Sequence, residues 1–235
     1  LAQNTGRIYI CWWFRPSSDP TAGSHSTKFL RAGNAADPVN KTFSWTQMHN
    51  YVYNSDGACN PVEWDNYPGS VGAWNLHEVF IDGVARTYII TVNGAVLVTK
   101  DWSVCNAFDF GMVGNIGWDG TGDTPRMDIS FDDIYIDNTQ ARVMIGNEST
   151  WTTSTHREVQ PPTAWAAGEI SVTFNQGSFS AGDTAYVYVV DSDGNVSDYD
   201  SETAGDQGYP VTIGGESTPP STPTIRSGGV RSGGI

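Results

Sequence analysis

The sequence predicts an all-β protein built from antiparallel sheets, and three observations carry this prediction. The chain has 26 Gly and 12 Pro beside 9 Trp, 10 Tyr and 9 Phe, a mixture that favours strands joined by tight turns over helices. Several segments alternate apolar and polar residues with the period of a half-buried strand. The dipeptide Asn93-Gly94 separates two such segments as a hairpin turn does. A chain of 235 residues can form one large β domain or two smaller ones.

The opening strand is the most apolar segment of the chain. Residues 7–15 (RIYICWWFR) are dense in β-branched and aromatic side chains and stop at Pro16, which indicates a buried strand, central in its sheet. A loop rich in Gly, Pro, Asn and Asp is predicted for 54–72. Further strands in this part of the chain are predicted at 26–31, 42–53 and 74–82.

The strongest local signal is a hairpin. Segments 87–92 (TYIITV) and 95–100 (AVLVTK) flank Asn93-Gly94, and these two residues tolerate the positive φ angles of a type I′ turn. A Gly-rich strand follows at 108–118. In the strand at 126–137 (RMDISFDDIYID) the alternation of apolar and polar residues is interrupted at Asp132-Asp133, as a β-bulge would cause.

The character of the chain changes after Asp137. Short strands spaced by turns have the rhythm of a small immunoglobulin-like sandwich. The segment 215–235 contains mainly Gly, Ser, Thr and Pro with two RSGG strings, so it is predicted to be a flexible tail. The predicted domains are 1–138, 139–214 and 215–235, and the short strands are 141–145, 156–159, 169–174, 184–190 and 209–213.

Two resemblances rest on these segments. WNLHEVFIDG, TVNGAVLV and FDDIYID resemble the concanavalin A-like and laminin-G-like superfamily over 7–137, which implies an antiparallel jelly-roll sandwich. ARVMIG, HREVQPPTAW, EISVTFNQGSF and DTAYVYVVDSDGNVSD resemble immunoglobulin-like modules of secreted bacterial surface and polysaccharide-active proteins over 141–214. Both resemblances imply an extracellular or cell-surface protein, and neither fold fixes a function.

The net charge excludes some partners and favours others. The formal charge of −14 repels phosphate backbones and anionic membrane surfaces, so nucleic acid is not expected as a partner. Membrane insertion is not expected either, because the chain has no apolar run long enough to span a bilayer. Excess carboxylates suit Ca²⁺, which prefers hard oxygen ligands. No run of 18 apolar residues occurs, and the chain opens at Leu1 without a charged and apolar leader, so we expect a processed secreted protein or a fragment of one.

The cysteines and acidic loops define further candidates. Cys59 and Cys105 lie in polar, loop-like surroundings and are expected to form a disulfide, while Cys11 is expected to be buried in a strand. The string of Asp191, Asp193 and Asn195, with Glu202 eleven positions after Asp191, imitates the oxygen spacing of a calcium loop; the alternative is a plain β-turn. A second cation candidate consists of Asp119, Asp123 and Asp82.

No catalytic set is evident. The paired carboxylates of a retaining hydrolase on one strand are missing, and the nearest substitutes are Asp128, Asp132 and Asp133. His77 is assigned a structural or surface role. We therefore predict a protein that is not an enzyme.

The leading hypothesis is a non-catalytic carbohydrate-binding or adhesive module. Aromatic faces stack on sugar rings while polar side chains fix the hydroxyls, and the partner would be a polysaccharide or a cell-surface glycan. The alternatives are a structural subunit of an extracellular filament, sheath or virion surface, which would self-associate through its termini, and a polysaccharide lyase or hydrolase. The aromatic residues expected to contact sugar are Trp64, Tyr67, Tyr53 and Trp118.

Overall fold

The computed structural model is all-β. It describes residues 5–22, 27–47, 49–55, 57–59, 63–64, 66–119, 127–199 and 207–214, and every regular element in these ranges is a β-strand. No helix in these ranges has the length and apolar character needed to cross a membrane. The chain divides into two compact units, Leu1–Gln140 and Ala141–Ile235. The predicted tail at 215–235 lies outside the described residues.

Unit 1 is a sandwich of two antiparallel sheets. The strands are β1 (Arg7–Pro16), β2 (Thr27–Gly33), β3 (Thr42–Thr46), β4 (His49–Asn54), β5 (Gly57–Ala58), β6 (Glu63–Trp64), β7 (Asn75–Asp82), β8 (Thr87–Val92), β9 (Ala95–Asp101), β10 (Met112–Asp119) and β11 (Ile129–Asp137). One sheet has five strands in the order β11-β1-β7-β8-β9. The other has six, in the order β10-β2-β3-β4-β5, with β6 also paired to β4.

The core of unit 1 lies between the two sheets and is strongly aromatic. Trp12 and Phe14 of the five-stranded sheet meet Trp45 and Phe29 of the six-stranded sheet, with ring centroids 6.2 and 5.5 Å apart. The hydroxyl of Tyr88 on β8 donates a hydrogen bond to Asn50 Oδ1 on β4 at 2.6 Å. Apolar packing and a buried hydrogen bond thus help to join the two sheets.

Strand β1 is central, as its apolar composition predicts. It pairs with β7 on one side and with β11 on the other. Tyr9, Cys11 and Trp13, which alternate with the core residues, are buried as well, and the Tyr9 hydroxyl donates to Glu78 Oε1 at 2.7 Å. Both faces of the strand are therefore covered, which explains why its sequence does not alternate.

The predicted hairpin and bulge are both present. Asn93 and Gly94 have φ angles of 51° and 79°, as a type I′ turn requires. In the pairing of β1 with β11, the register shifts between Cys11 and Trp13. Asp133 has a φ of 46° there, so the bulge lies where the alternation of apolar and polar residues is interrupted.

Two predicted strands have other bounds. The segment 42–53 is a hairpin rather than one strand, because the chain turns at Gln47, whose φ is 47°, and β3 pairs with β4. In the segment 108–118, Phe110 makes only an isolated bridge with Thr5. The strand β10 itself begins at Met112.

Unit 2 has a four-stranded sheet and a separate hairpin. The strands are β12 (Arg142–Gly146), β13 (Arg157–Gln160), β14 (Pro162–Ala166), β15 (Glu169–Val172), β16 (Thr184–Val190) and β17 (Tyr209–Thr212). The sheet order is β13-β12-β16-β17, and β14 pairs with β15. The sequence analysis does not predict β14, because its sequence PTAWA lacks the β-branched and aromatic density of the other strands. The immunoglobulin-like resemblance stays a prediction.

Candidate functional site

The candidate site is a groove on the outer face of the six-stranded sheet in unit 1. Its volume is about 500 Å³, within the range of roughly 300–1,000 Å³ that is typical of small-molecule sites. Strands β2, β3, β4 and β10 supply the floor and sides, and the loop between β2 and β3 supplies a rim. The described lining residues are Arg31, Ala32, Pro38, Val39, Asn40, Thr42, Ser44, Tyr51, Tyr53, Met112 and Gly114.

The register of the sheet brings these side chains together in two rows. In one row Arg31 of β2 is opposite Ser44 of β3, which is opposite Tyr51 of β4. In the neighbouring row Thr42 is opposite Tyr53. Side chains at directly opposed positions lie on the same face, so three strands place aromatic, hydroxyl and guanidinium groups side by side.

Alternation along β3 and β4 explains which residues face the groove. Phe43, Trp45 and Val52 belong to the buried core, and Asn50 bonds to Tyr88 inside it. The residues between them therefore face outward. The core holds the floor of the groove in place from behind.

The rim is fixed by its own hydrogen bonds. Asn34 Oδ1 accepts hydrogen bonds from the backbone N–H groups of Ala36 and Asp37 at 2.9 and 3.1 Å. Asp37 in turn accepts a bond from Asn40 Nδ2 at 3.0 Å. These Asx-type contacts order the turn that carries Val39, which is 76% exposed.

Ser44 is the unusual polar group of the floor. The residue is 1% exposed, and its hydroxyl has no hydrogen-bond partner among the described residues. A buried hydroxyl without a partner costs about 1–3 kcal/mol. The groove therefore contains a hydrogen-bonding group that the rest of the described protein does not satisfy.

Of the residues predicted to contact sugar, the structure places Tyr53 in the groove. The backbone of Trp64 is paired with His49 and that of Trp118 with Lys28, on strands of the same sheet. The side chains of Trp64 and Trp118 lie outside the described part of the structure.

Tyr67 is half-buried and packs against the core of unit 1, and its contact with sugar stays a prediction. Its ring stacks on Phe29 with centroids 5.5 Å apart, and its hydroxyl lies 3.2 Å from Nε2 of the buried His77. Burial, with a smaller contribution from Asp19, raises the pKa of Tyr67 above its ordinary value. The ring belongs to the edge of the core, because the loop that carries it folds inward.

His77 has the structural role assigned to it and lies in the interior. It is fully buried, and burial lowers its pKa from 6.5 to about 3. It is therefore neutral at physiological pH. Its ring is in contact with the rings of Trp12, Phe14, Phe29, Trp45 and Tyr67.

The acidic candidates lie away from the groove. Asp132 and Asp133 occupy the bulge of β11 in the other sheet, where Asp132 Oδ1 accepts the backbone N–H of Asp133 at 2.9 Å. The backbone N–H of Asp128 donates to Ser17 Oγ at 2.9 Å. Among the described residues that line the groove, none is Asp or Glu.

The described residues of the first cation candidate form a hydrogen-bonded turn. Asp191 Oδ1 accepts the backbone N–H groups of Asp193 and Asn195, and Oδ2 accepts Asn195 Nδ2, each at 2.9 Å. Burial would raise the pKa of Asp191, but these hydrogen bonds outweigh it and lower that pKa. No cluster of three His, Cys, Asp or Glu fit for a metal occurs in the described ranges. Glu202 lies outside these ranges, and Ca²⁺ binding stays a prediction.

The second cation candidate is only partly described. Asp82 Oδ2 lies 2.9 Å from Arg7 Nε, and Asp82 Oδ1 accepts the backbone N–H groups of Val84 and Ala85. Its carboxylate therefore forms an ion pair with Arg7 and stabilises the turn that follows β7. Asp119 is described only by its backbone, which pairs with Thr27, and Asp123 lies outside the described residues.

The cysteines are arranged as expected. Cys59 and Cys105 form a disulfide, and Cys11 is a free, buried thiol. The disulfide connects the segment after β5, in one sheet, to the segment after β9, in the other. It therefore cross-links the two layers of unit 1.

Comparisons with known proteins give distant likenesses only. No protein-family model matches the chain, and no curated protein matches it. Among solved structures it is similar to the binding domain of botulinum neurotoxin serotype G, at 9% identity with a TM-score of 0.41, covering 80% of this chain and 59% of that one. It is also similar to a heptameric SAP-like pentraxin from Limulus polyphemus, at 12% identity with a TM-score of 0.35, covering 57% and 66%.

A third similar structure is domain 4 of a GH43 extracellular arabinanase from Geobacillus stearothermophilus, in complex with arabinotriose. The identity is 16%, the TM-score is 0.34, and the match covers 57% of this chain and 62% of that one. The chain spans under two thirds of the neurotoxin domain and of the arabinanase domain. All three TM-scores are below 0.5, so the likenesses carry no information on function.

Proposed function

We propose that this chain is a non-catalytic carbohydrate-binding module of an extracellular protein, and that the groove of unit 1 is its binding site. The observation that carries the proposal is the pair of half-buried tyrosines, Tyr51 and Tyr53, in a groove that also contains hydroxyl, amide and guanidinium groups. A sugar has an apolar ring face and a rim of hydroxyls. A site that combines aromatic side chains with a few placed polar groups matches both features.

The sheet position of the groove suits a rigid ligand. Tyr51 and Tyr53 are two residues apart on one strand, so their side chains lie on the same face about 7 Å apart. The neighbouring strands β2 and β3 add the guanidinium of Arg31 and the hydroxyls of Thr42 and Ser44. Because strands hold these groups, binding orders few loop residues, so little binding free energy is lost to conformational entropy.

The lining chemistry favours binding over hydrolysis. A glycosidase needs two carboxyl groups on either side of the scissile bond, about 5–9.5 Å apart depending on the mechanism. The described lining contains neither Asp nor Glu. The extracellular location is supported by the Cys59–Cys105 disulfide, because disulfides persist mainly in oxidising compartments.

The test is glycan binding by the full chain and by variants of the groove. We expect wild-type protein to bind at least one oligosaccharide of a broad glycan array, and Tyr53→Ala or Tyr51→Ala to weaken that binding about tenfold or more, as loss of an aromatic anchor does. Affinity is measured by titration calorimetry. Circular dichroism and thermal melting check that each variant is folded.

Tyr199→Ala is the matched control, because Tyr199 is 56% exposed and belongs to unit 2. It should bind as wild type does. Wild-type protein that binds no glycan, or a Tyr51→Ala/Tyr53→Ala double variant with unchanged affinity, would contradict the proposal.

A second candidate function is a polysaccharide lyase, and one observation favours it. Arg31 and Tyr51 are on either side of Ser44 in one row of the sheet, which places a carboxylate-neutralising cation near a phenol that can transfer a proton. Incubation of the protein with acidic polysaccharides, followed by the ultraviolet absorbance of unsaturated sugar products, distinguishes the two functions. Bound but unchanged polysaccharide supports the binding module.

A further inference from the structure

Arg31 lines the groove and is exposed. It is the only charged residue among the described residues of the lining, although the chain as a whole carries a net charge of −14. The acidic side chain closest to it in the rim sequence, Asp37, is bonded to Asn40. The groove is thus a local cationic region on an acidic protein.

Within the described part of the chain, every arginine except Arg31 makes a polar or cation–π contact. Arg7 pairs with Asp82 at 2.9 Å, and Arg86 donates to the carbonyl oxygens of Ser103 and Cys105. The remaining three, Arg15, Arg142 and Arg157, contact backbone oxygens or the Trp151 ring. For Arg31, the described part of the chain supplies no ion pair and no hydrogen-bond acceptor.

Ser44 adds an independent indication of a ligand. It is opposite Arg31 in the sheet, it is almost completely buried, and its hydroxyl lacks a partner among the described side chains and backbone. On its other side it is opposite Tyr51. Two strand spacings separate Arg31 from Tyr51, about 10 Å, which is room for one sugar ring above Ser44.

We propose that the groove selects sugars that carry a carboxylate, with the Arg31 guanidinium bound to the carboxylate, the Ser44 hydroxyl donating to the same unit, and the tyrosine rings against the sugar. This inference rests on the proposed carbohydrate-binding function. The planar guanidinium fork matches a carboxylate with two parallel hydrogen bonds, and such pairs are among the strongest that proteins form. The ligand class is therefore a uronic or sialic acid unit within a glycan.

The net charge of the protein does not prevent such binding. At physiological ionic strength the Debye length is about 8 Å, so carboxylates farther than this from the groove are largely screened. The contact between Arg31 and the ligand is short and partly desolvated, and it is screened much less. A short acidic oligosaccharide therefore experiences mainly the local charge of the groove.

The test uses a panel of uronic and sialic acid oligosaccharides, each as the free acid and as its methyl ester, at physiological ionic strength. The ester keeps the sugar ring and removes only the negative charge. We expect wild-type protein to bind at least one acid about tenfold or more tightly than its ester, and Arg31→Gln to abolish that preference. Arg31→Lys, which keeps the charge but loses the fork, should retain part of the preference. Ser44→Ala should weaken binding of the acid by a few-fold.

Arg15→Gln is the control, because it changes the net charge equally at an exposed position on β1, in the other sheet. It should leave the preference for the acid unchanged. Equal binding of acid and ester by wild type, or an acid preference that survives Arg31→Gln, overturns this inference while tyrosine-dependent glycan binding stands. If neither acidic nor neutral glycans bind, the proposed function fails as well.

Discussion

The two units of this chain differ in the share of polar side chains in their interiors. Unit 1 has an extensive apolar core in which aromatic rings from both sheets are in contact. The described part of unit 2 buries fewer apolar side chains, namely Val143, Met144, Ile145, Val159, Phe179, Ala185, Tyr188, Val190 and Ile213. Polar groups form a larger share of its interior: the described part of unit 2 buries five polar or charged residues beside these nine apolar ones, whereas that of unit 1 buries nine beside 26. The five in unit 2 are Arg142, Ser154, Arg157, Glu158 and Gln160.

Hydrogen bonds engage several of these buried groups in unit 2. Gln160 Nε2 donates to the carbonyl oxygens of Asn175 and Glu158, and Gln160 Oε1 accepts the backbone N–H of Asn175. Arg157 donates to two carbonyl oxygens and lies 4.2 Å from the centre of the Trp151 ring.

The difference has consequences for how each unit responds to mutation. Apolar burial is roughly proportional to area and has no preferred direction. A polar interior is sensitive to single groups, because removing one partner leaves the other buried and unsatisfied. Unit 1 should therefore be most sensitive to loss of volume, and unit 2 to loss of particular hydrogen bonds.

The largest expected effect is in the aromatic core. Phe29 is fully buried between Phe14, Trp45 and Tyr67, so Phe29→Ala should lower the free energy of unfolding of unit 1 by about 3–5 kcal/mol. Urea unfolding followed by hydrogen exchange of unit 1 peptides measures this. Val104→Ala, at a residue that is 83% exposed, is the control and should change little. A loss below about 1 kcal/mol at Phe29 would show that the core repacks easily.

A pH dependence specific to unit 1 is expected next. Because burial lowers the pKa of His77 from 6.5 to about 3, the unfolded chain binds a proton between these pH values that the folded chain does not. Stability should therefore fall as the pH drops below 6.5, by an amount on the order of 3 kcal/mol at pH 4.

The His77→Gln variant keeps a hydrogen-bonding group near Tyr67 and removes the titration. Its urea midpoint should fall less steeply than that of wild type between pH 7 and pH 4, while other acid-sensitive groups act equally on both proteins. Parallel pH profiles would show that His77 does not contribute to acid unfolding.

A smaller effect, confined to unit 2, is expected from Gln160→Leu. The substitution keeps the approximate size of the side chain. The backbone carbonyl and N–H of Asn175, however, lose their hydrogen bonds to Gln160, which costs about 2 kcal/mol of folding free energy. Hydrogen exchange should report the loss in unit 2 peptides and leave unit 1 unchanged. Glu169→Ala, at an exposed position of the hairpin, is the control. Equal stability of Gln160→Leu and wild type would mean that the polar interior is not sensitive to this contact.

Local chemistry made much of the fold predictable. The Asn93-Gly94 turn and the Asp132-Asp133 bulge were both identified from a few consecutive residues, because each depends on backbone preferences of those residues. The turn at Gln47 was missed because Gln is not a residue that favours a positive φ. The strand at Pro162 was missed because an exposed hairpin needs little apolar alternation.

The groove was only partly predictable, since it depends on strands that are distant in sequence. Tyr53 was identified from its aromatic character. The alternation of Tyr51 with the buried residues Asn50 and Val52 would have added Tyr51 as an outward-facing neighbour. Arg31 and Ser44 carry no such signal, because only the pairing of β2 with β3 places them beside the tyrosines. Tyr67 has the same aromatic character in the sequence as Tyr53, but it packs against the core rather than lining the groove.

The pairing of β1 with β11 has a consequence for synthesis in the cell. One of the two neighbours of β1, the first strand of unit 1, is β11, the last strand of the unit, with Tyr9 opposite Asp137. A ribosome must therefore release nearly the whole unit before the aromatic opening strand can acquire both neighbours. Until then an apolar strand with an unpaired edge is exposed to other chains, a situation in which chaperone assistance and slow, late folding are expected.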